Sequence, residues 1–318
     1  MEQDRLRDRF RGALLGVAVG DALGAPFEGM GMVHSADLER LHAAPGRLCY
    51  TDDTHMTLGM AESLVAMRGF DGENMARTFA RNFRQEPWRG YGAGPPQVFR
   101  MVEEGTPWDK AGRMLFGGTG SFGNGAAMRV APCALAYHQD LEKVIAVAAQ
   151  SASITHAHQL GIEGAVLQAC AVAFLIRCNA RVPFEKRALV EFLEFRAASP
   201  VYRQKLERVK SLTPDATAAD IVRQVGNGIE AYEAVPAAIC AFLRHPDSFS
   251  KAVLCAISLG GDTDTIACMT GALSGAYLGE SAIPVPWREG VEGAGRLREL
   301  ADALLALAAG FRQQEEPE

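Results

Sequence analysis

The feature that most constrains this chain is the segment 260–265, GGDTDT, in which two carboxylates and two hydroxyls follow a double glycine. No Lys or Arg occurs between Lys251 and Arg288, so these acids have no basic neighbour in the sequence. The small, apolar residues that follow, 266–279, predict a buried helix. Carboxylates at the mouth of a buried helix are costly unless a cation meets them. The segment therefore favours a cation site.

A second segment has the same character. Residues 51–54, TDDT, stand at the head of another apolar helix, with no basic residue from Leu48 to Met67. If the two segments meet in space, four carboxylates share one site, which favours Mg²⁺, Mn²⁺ or Ca²⁺ with oxygen ligands. Asp and Thr are also good helix caps, so each segment alone is equally compatible with capping. Two such segments without counter-charge favour the metal.

The composition sets limits on what the protein binds. The 318 residues are 48% hydrophobic, enough for a sizeable core, and the net charge of −6 argues against a binder of nucleic-acid backbone. The seven cysteines include no C-x-x-C pair and indicate buried thiols in a reducing compartment. We predict that no apolar run is long enough to span a membrane. We expect a cytoplasmic monomer that contacts neither DNA nor membrane.

Helical periodicity dominates the chain, and strand-like alternation is nearly absent. We predict one all-α domain over residues 1–312 and a frayed tail at 313–318. The first helix is expected from Leu6 to Val19, ending at Gly20 and Asp21, and residues 89–96 are expected to form an irregular turn. Further helices are predicted after residue 54, from residue 71, and at 125–137, 140–151, 160–177, 183–195, 218–225, 233–242, 248–258, 265–279 and 297–311.

The most glycine-dense segment, 117–125 (GGTGSFGNG), runs into a predicted helix. Glycines let backbone amides converge, and a helix N-terminus favours an anion, so a phosphate or diphosphate cradle is favoured over a merely flexible turn. The G-x-G-x-x-G within it is weak evidence alone, since no βαβ unit surrounds it. The absence of Gly-Lys-Ser/Thr excludes a Walker P-loop.

Single residues in other loops have two interpretations each. His156 is either a satisfied polar group or a hydrogen-bond partner for phosphate or ribose. Glu28, in a loop with several glycines, is either a solvated acid or a mobile general acid or base. Tyr91 or Phe122 belongs to the core or stacks on an adenine. Zinc is not indicated, because neither H-E-x-x-H nor a Cys/His spacing occurs.

The motifs, taken together and in order, resemble those of the ADP-ribosyl-acceptor hydrolases, the dinitrogenase-reductase-activating glycohydrolase superfamily. The carriers are 12–21 (GALLGVAVGD), 50–54 (YTDDT), 120–129 (GSFGNGAAMR), 155–156 (TH) and 261–266 (GDTDTI). Segments 89–94 (RGYGAG), 226–229 (GNGI) and 258–262 (SLGGD) look most like the branch that cleaves serine-linked ADP-ribose and poly(ADP-ribose). The resemblance spans residues 10–280.

The resemblance implies a compact, orthogonal, multi-helix all-α domain with two Mg²⁺ ions, or Mn²⁺, held by loops and helix N-termini. It implies metal ligation by Glu28, Thr51, Asp52, Asp53, Asp262, Asp264 and Thr265. It implies substrate contacts from Asp52, Thr119, Gly120, Ser121, Phe122, Gly123, Asn124, Gly125, His156, Leu206 and Ile229. Glu28 matches a loop glutamate that ligates a metal at rest and gates access.

One position departs from the resembled branch, which carries Tyr where this chain has Phe122, so a hydroxyl contact is lost there. The function expected is Mg²⁺-dependent hydrolysis of serine-linked ADP-ribose on proteins, of poly(ADP-ribose), or of both. Glu28 is the first choice and Asp52 the second for the catalytic carboxylate. The alternatives are an arginine-linked ADP-ribose hydrolase and an ADP-ribose-binding module without turnover.

Overall fold

In a computed structural model, described over residues 2–43, 47–178 and 184–315, the chain is built almost entirely from α-helices. No strand forms in these ranges, where only two isolated bridges pair Leu48 with Val291 and Gly123 with Glu230. The prediction of an all-α fold is confirmed. The helices are α1 Glu2–Gly24, α2 Ser35–Ala43, α3 Asp52–Ala66, α4 Gly72–Gln85, α5 Gly94–Glu103, α6 Trp108–Ala111, α7 Ala131–Ala136, α8 Leu141–Ser153, α9 Gln159–Arg177, α10 Lys186–Glu194, α11 Pro200–Ser211, α12 Ala218–Gln224, α13 Ala231–Arg244, α14 Phe249–Ser258, α15 Thr263–Leu278, α16 Val285–Gly290 and α17 Ala294–Glu315.

At the centre, α1 and α15 run antiparallel with their backbones in contact. Residues 12, 16, 20 and 24 of α1 are all glycine, and because they are four apart they lie on one face of the helix. A Cβ on Gly16 would lie 2.1 Å from the carbonyl oxygen of Gly271, and one on Gly20 would lie 2.0 Å from that of Ala267. We call this contact, residues 12–24 against 263–275, the helix seam. It fixes the end of α1 beside the start of α15.

The seam explains why the predicted end of the first helix is wrong. A helix end was expected at Gly20 and Asp21, since glycine often terminates helices. Instead α1 continues to Gly24, because the glycines there serve close packing, and Asp21 is fully buried inside the helix. The segment 89–96 is also more regular than expected, since α5 begins at Gly94 with prolines in its first turn.

Helix α9 forms part of the surrounding core and corrects one prediction. It has 19 residues with a mean hydropathy of 1.7, so by length and composition it is long enough to cross a membrane. The prediction that no run reaches that length was therefore wrong. Within the structure 72% of its most apolar window is buried, as in the core helix of a globular fold.

Three other segments differ from the expectation. The predicted helix 125–137 is a 3₁₀ turn at Asn124–Ala126, with the α-helix α7 starting only at Ala131. Helices α2, α5, α6, α11 and α16 were not anticipated, and α2 contains no buried residue whose spacing would indicate it. Helix α17 extends to Glu315, and residues 316–318 of the predicted tail lie outside the described residues, as does residue 183 at the start of the predicted helix 183–195.

Candidate active site

The segment 51–54 is held by a carboxylate from the end of α1. Asp21 accepts hydrogen bonds from the backbone N–H and hydroxyl of Thr51, at 3.0 and 2.9 Å, and from those of Thr54, at 3.0 and 2.6 Å. Thr51 in turn caps α3 by accepting from the N–H of Asp53. None of these bonds involves the carboxylate of Asp52 or Asp53. Asp21 therefore orients the acidic segment.

The segment 260–265 reaches the same place through a turn that needs glycine. Gly260 and Gly261 have φ of 67° and 70°, a conformation that other residues adopt at a cost. The N–H of Asp262 then donates to the carbonyl of Asn227 at 2.9 Å, and α15 begins at Thr263. Asp262 accepts a hydrogen bond of 2.5 Å from the side-chain amide of Asn124.

The two acidic segments meet, and the loop after α1 joins them. The hydroxyl of Thr265 lies 3.3 Å from the Asp53 carboxylate and donates to it. Carboxylate oxygens of Glu28, Asp262 and Asp264 all lie within 4.8 Å of one another. The Glu28 loop is attached beside them, because the N–H of Gly29 donates to the carbonyl of Gly261 at 2.8 Å. Oxygens from three separate parts of the sequence thus converge.

The charges of this cluster are uncompensated. Among the residues described, no Lys or Arg forms an ion pair with any of its carboxylates. Burial, together with the charge of neighbouring acids, raises the pKa of Asp21 to about 7 and that of Asp52 to about 8. Burial, followed by the charge of Asp264, also raises the pKa values of Asp53, Asp262 and Glu28. The folded chain therefore disfavours the ionised form of these acids unless a cation is present.

The donor set fits a divalent metal. The Oδ1 atom of Asp53 is buried without a hydrogen-bond partner, which is expensive for a carboxylate oxygen unless something else binds it. Every candidate ligand atom is a carboxylate or hydroxyl oxygen, the type that hard cations select. Glu28 is exposed, whereas Asp262 and Asp264 are buried, so the cluster has one open side. A cation there would meet the charge that the fold leaves unpaired.

The glycine loop borders the cluster but does not open a long helix. Phe116, Gly117, Gly118 and Gly120 all have positive φ, so the backbone coils tightly before Ser121. A Cβ on Gly120 would lie 2.7 Å from the backbone nitrogen of His158. The expected helix N-terminus is therefore missing, because α7 starts later with Pro132 in its first turn. The loop therefore offers an anion its own backbone amides and not the N-terminus of α7.

Residues 122–124 of the loop are fixed to the start of α13. The N–H of Asn124 donates to the carbonyl of Ile229 at 2.9 Å, and the N–H of Ala231 donates to that of Phe122 at 3.0 Å. The Ile229 side chain remains 67% exposed and the Phe122 side chain 43% exposed, so both face solvent beside the loop. Asn124 links this assembly to Asp262. The loop and the acidic cluster are thus directly connected.

His156 lies directly beneath the glycine loop. A Cβ on Gly125 would lie 2.7 Å from its ring, and its Nδ1 is 2.8 Å from the hydroxyl of Thr155. Burial, with the charge of Arg129, lowers its pKa to about 3, so the imidazole is neutral. Its ring supports the loop from below. The remaining loop residues differ in accessibility, Thr119 being exposed and Ser121 half-buried.

Two predicted ligand contacts lie elsewhere. Leu206 on α11 is fully buried in the hydrophobic core, so it presents no surface to a ligand. Its position one turn after Tyr202 gives it the core face of an amphipathic helix, which the loose resemblance in that region did not reveal. Tyr91 donates to or accepts from His55 Nδ1 at 2.8 Å and packs edge-on against Phe83. Tyr91 is thus a partly buried member of an aromatic cluster.

Sequence reasoning missed three supports of the site, namely Asp21, Asn124 as a partner of Asp262, and Asn227. For Asp21 the signal was available, since it is an acid at the end of an apolar run, like those in the two acidic segments. It was assigned to a helix end, which concealed its burial. Asn227 offers no such signal, because it acts through its backbone carbonyl and through a side-chain hydrogen bond to the carbonyl of Leu259, and neither contact leaves a pattern in the sequence.

Comparison with known proteins places this geometry in context. A family model described as ADP-ribosylglycohydrolase matches residues 2–315. The chain is 39% identical to the human ADP-ribosylhydrolase ARH3, covering 91% of this chain and 90% of that protein, and 37% identical to the bovine one, covering 94% and 93%. It is 27% identical to ADP-ribosylarginine hydrolase Tri1 of Serratia proteamaculans strain 568, covering 95% and 80%. A solved structure titled ADP-ribosylglycohydrolase-related protein complex superposes with a TM-score of 0.77 at 30% identity, covering 96% of this chain and 99% of that one.

Proposed function

Since the chain belongs to the ADP-ribosylglycohydrolase family and is therefore a hydrolase of ADP-ribosyl bonds, we propose that its substrate is serine-linked ADP-ribose on proteins. The observation that carries the proposal is the convergence of Glu28, Asp262 and Asp264 beside the glycine loop. The identity to ARH3 proteins exceeds that to the arginine-specific relative, which favours the serine linkage. Poly(ADP-ribose) is the second candidate substrate, since the resembled branch cleaves both.

The carboxylate cluster supports a site for two magnesium ions. Asp53, Asp262, Asp264 and the hydroxyls of Thr51 and Thr265 would hold them, with Asp52 and Glu28 on the open side. Bound there, such ions supply Lewis-acid polarisation and orient the ribose hydroxyls of the substrate. The unpartnered Oδ1 of Asp53 and the missing counter-charges support this assignment.

The chain's own residues divide the remaining work. Amides of residues 119–125 would bind the diphosphate, and Phe122 offers an exposed ring for the adenine. Asp21 holds Thr51 and Thr54 of the acidic segment, and Asn124 holds Asp262, through the hydrogen bonds described above. Binding energy from the nucleotide would thereby position the sugar over the carboxylates.

A carboxyl group would act as the general acid that donates a proton to the leaving oxygen. Glu28 would donate a proton to the serine oxygen as the bond between that oxygen and the anomeric carbon breaks, and would regain a proton from the water that attacks this carbon. Glu28 is the better candidate because its side chain is exposed on the open side of the cluster. Asp52, with its pKa raised to about 8, is the second candidate.

One experiment tests the proposal. Purified protein is incubated with serine-linked, arginine-linked and polymeric ADP-ribose, each with magnesium or with excess EDTA. Release of ADP-ribose from the serine-linked substrate, suppressed by EDTA and restored by magnesium, is expected. Preferential cleavage of the arginine linkage would assign the chain to that specificity instead. Binding of ADP-ribose without release from any substrate would indicate a reader.

A further inference from the structure

Two large apolar side chains lie exposed beside the acidic cluster, and the proposed chemistry does not use either. Trp88 is 73% exposed and Met30 is 54% exposed. Solvent-facing tryptophan is uncommon in a free protein surface and is enriched where proteins bind partners. Their position next to the cluster therefore calls for a specific occupant.

Trp88 is held on a rigid support. Its neighbour Arg89 pairs with Glu292 at 2.8 Å and with Glu86, donates to the carbonyl of Tyr50 at 3.0 Å, and stacks over the Tyr50 ring. Gly90, two residues on from Trp88, is so close to the site that a Cβ there would lie 3.7 Å from the carboxylate of Asp52. Because consecutive Cα atoms are about 3.8 Å apart, Trp88 is anchored within about 8 Å of Gly90.

Met30 lies on the loop that carries Glu28. It follows Glu28 by two residues, and its carbonyl accepts a hydrogen bond of 2.9 Å from the N–H of Gly261. Each exposed apolar side chain thus belongs to a loop that brings it near one candidate for the general acid, Met30 near Glu28 and Trp88, through Gly90, near Asp52.

The geometry points to the path of the acceptor. A general acid must be within hydrogen-bond reach of the oxygen that departs, so the acceptor chain has to leave the site alongside Glu28 or Asp52. We infer that Trp88 and Met30 form the acceptor subsite, which binds the polypeptide carrying the ADP-ribosyl group through apolar contacts on either side of the modified residue. This inference rests on the proposed function, whose substrate it specifies further.

The surroundings of Trp88 favour a polypeptide over a second ADP-ribose unit. The guanidinium of Arg89 is already bound by Glu86 and Glu292, so it is not free to receive a phosphate. The next unit of a polymer would have to lie beside Glu28 and Asp52, for which the described residues provide no ion-pair partner. A polyanionic polymer would be repelled here, whereas an uncharged or basic segment would not.

The test compares three substrates on four proteins. The substrates are a peptide with serine-linked ADP-ribose, free serine with the same linkage, and poly(ADP-ribose). The proteins are wild type, Trp88→Ala, Trp88→Phe, and Phe195→Ala as a control that removes another aromatic side chain, 86% exposed, at the end of α10. We expect Trp88→Ala to lower kcat/KM for the peptide about tenfold through KM, with Trp88→Phe intermediate. Turnover of ADP-ribosyl serine and the affinity for free ADP-ribose should not change.

Other results would overturn the inference. An equal loss on peptide and free serine would place Trp88 in the general structure of the site, and a selective loss on the polymer would make the polymer its occupant. If wild type cleaves none of the three, the proposed function fails, and the fluorescence of Trp88 then decides the inference. A change in emission on adding the ADP-ribosyl peptide, absent with free ADP-ribose and absent in Trp88→Phe, would uphold it, and no change would refute it.

Discussion

Helices α1 and α15 meet in two different ways along their common length. Along the helix seam they touch through backbone atoms, because the glycines at 12, 16 and 20 of α1 face the small residues 275, 271 and 267 of α15. Where α1 ends and α15 begins, carboxylates lie close together, and none of the described basic residues pairs with them. The seam stabilises the fold and contributes no chemistry, whereas the acidic cluster contributes chemistry and opposes folding. Substitutions in the two regions should therefore separate stability from activity.

The largest effect is expected in the seam. Gly16→Ala would place a Cβ 2.1 Å from the carbonyl oxygen of Gly271, so the helices must move apart, with a loss of about 3 kcal/mol in the free energy of unfolding. Gly295→Ala is the matched control, since a Cβ there on α17 meets open space and should be neutral or slightly stabilising. Urea unfolding measures both. Equal effects at the two positions would show that the seam is not tightly packed.

The second prediction concerns the acidic cluster, where a substitution should lower activity without lowering stability. Asp264→Ala should abolish magnesium-dependent turnover, while the unfolding temperature in EDTA stays the same or rises, because like-charge repulsion is relieved. Magnesium should stabilise wild type and not the variant. Asp302→Ala is the control, since that acid already has two arginine partners, Arg7 and Arg11, and its loss should lower stability and leave turnover unchanged. Full activity of Asp264→Ala would refute the metal site.

A smaller effect, on kcat alone, is expected at the open side of the acidic cluster. Glu28→Gln keeps the shape of the side chain but removes its proton exchange, so kcat for serine-linked ADP-ribose should fall about a hundredfold. ADP-ribose should bind within about tenfold of wild type, since the glycine loop is untouched. Rapid-quench and equilibrium binding measurements separate the two quantities. Normal turnover would transfer the proton role to Asp52.

The smallest effect concerns a glycine that serves ligand approach and not helix packing. Gly123→Val would place side-chain atoms near the hydroxyl of Ser121 and the ring of His156, obstructing the loop amides. Affinity for free ADP-ribose should fall about tenfold by calorimetry, a loss of about 1.4 kcal/mol, with little change in unfolding temperature. Gly290→Val is the control, because a Cβ added at Gly290 would have no neighbouring atom within 4 Å. Unchanged affinity would make the loop a structural turn.

The same contrast explains what could be predicted from sequence. The absence of counter-charge around Asp53 and Asp262 is visible in the sequence, but whether the two segments meet was left as a condition, which the structure fulfils. The seam was not anticipated, because a glycine contributes no side chain to any hydrophobic pattern and its meaning depends on the facing helix. Leu206 shows the opposite error, since its amphipathic spacing with Tyr202 and Val209 indicated a core position that the resemblance overrode.

The seam also has a consequence for the order in which the chain acquires structure. Glycine is about 1 kcal/mol less favourable than alanine in a helix, so α1, with four of them, is a weak helix on its own. Its partner α15 begins 239 residues after Gly24, and Asp302, which binds Arg7 and Arg11, lies still further along. Helix α1 therefore leaves the ribosome well before α15 is made, and it must wait for these later segments before its contacts exist. Until then the N-terminal segment, with its apolar residues, is one that chaperones would have to cover.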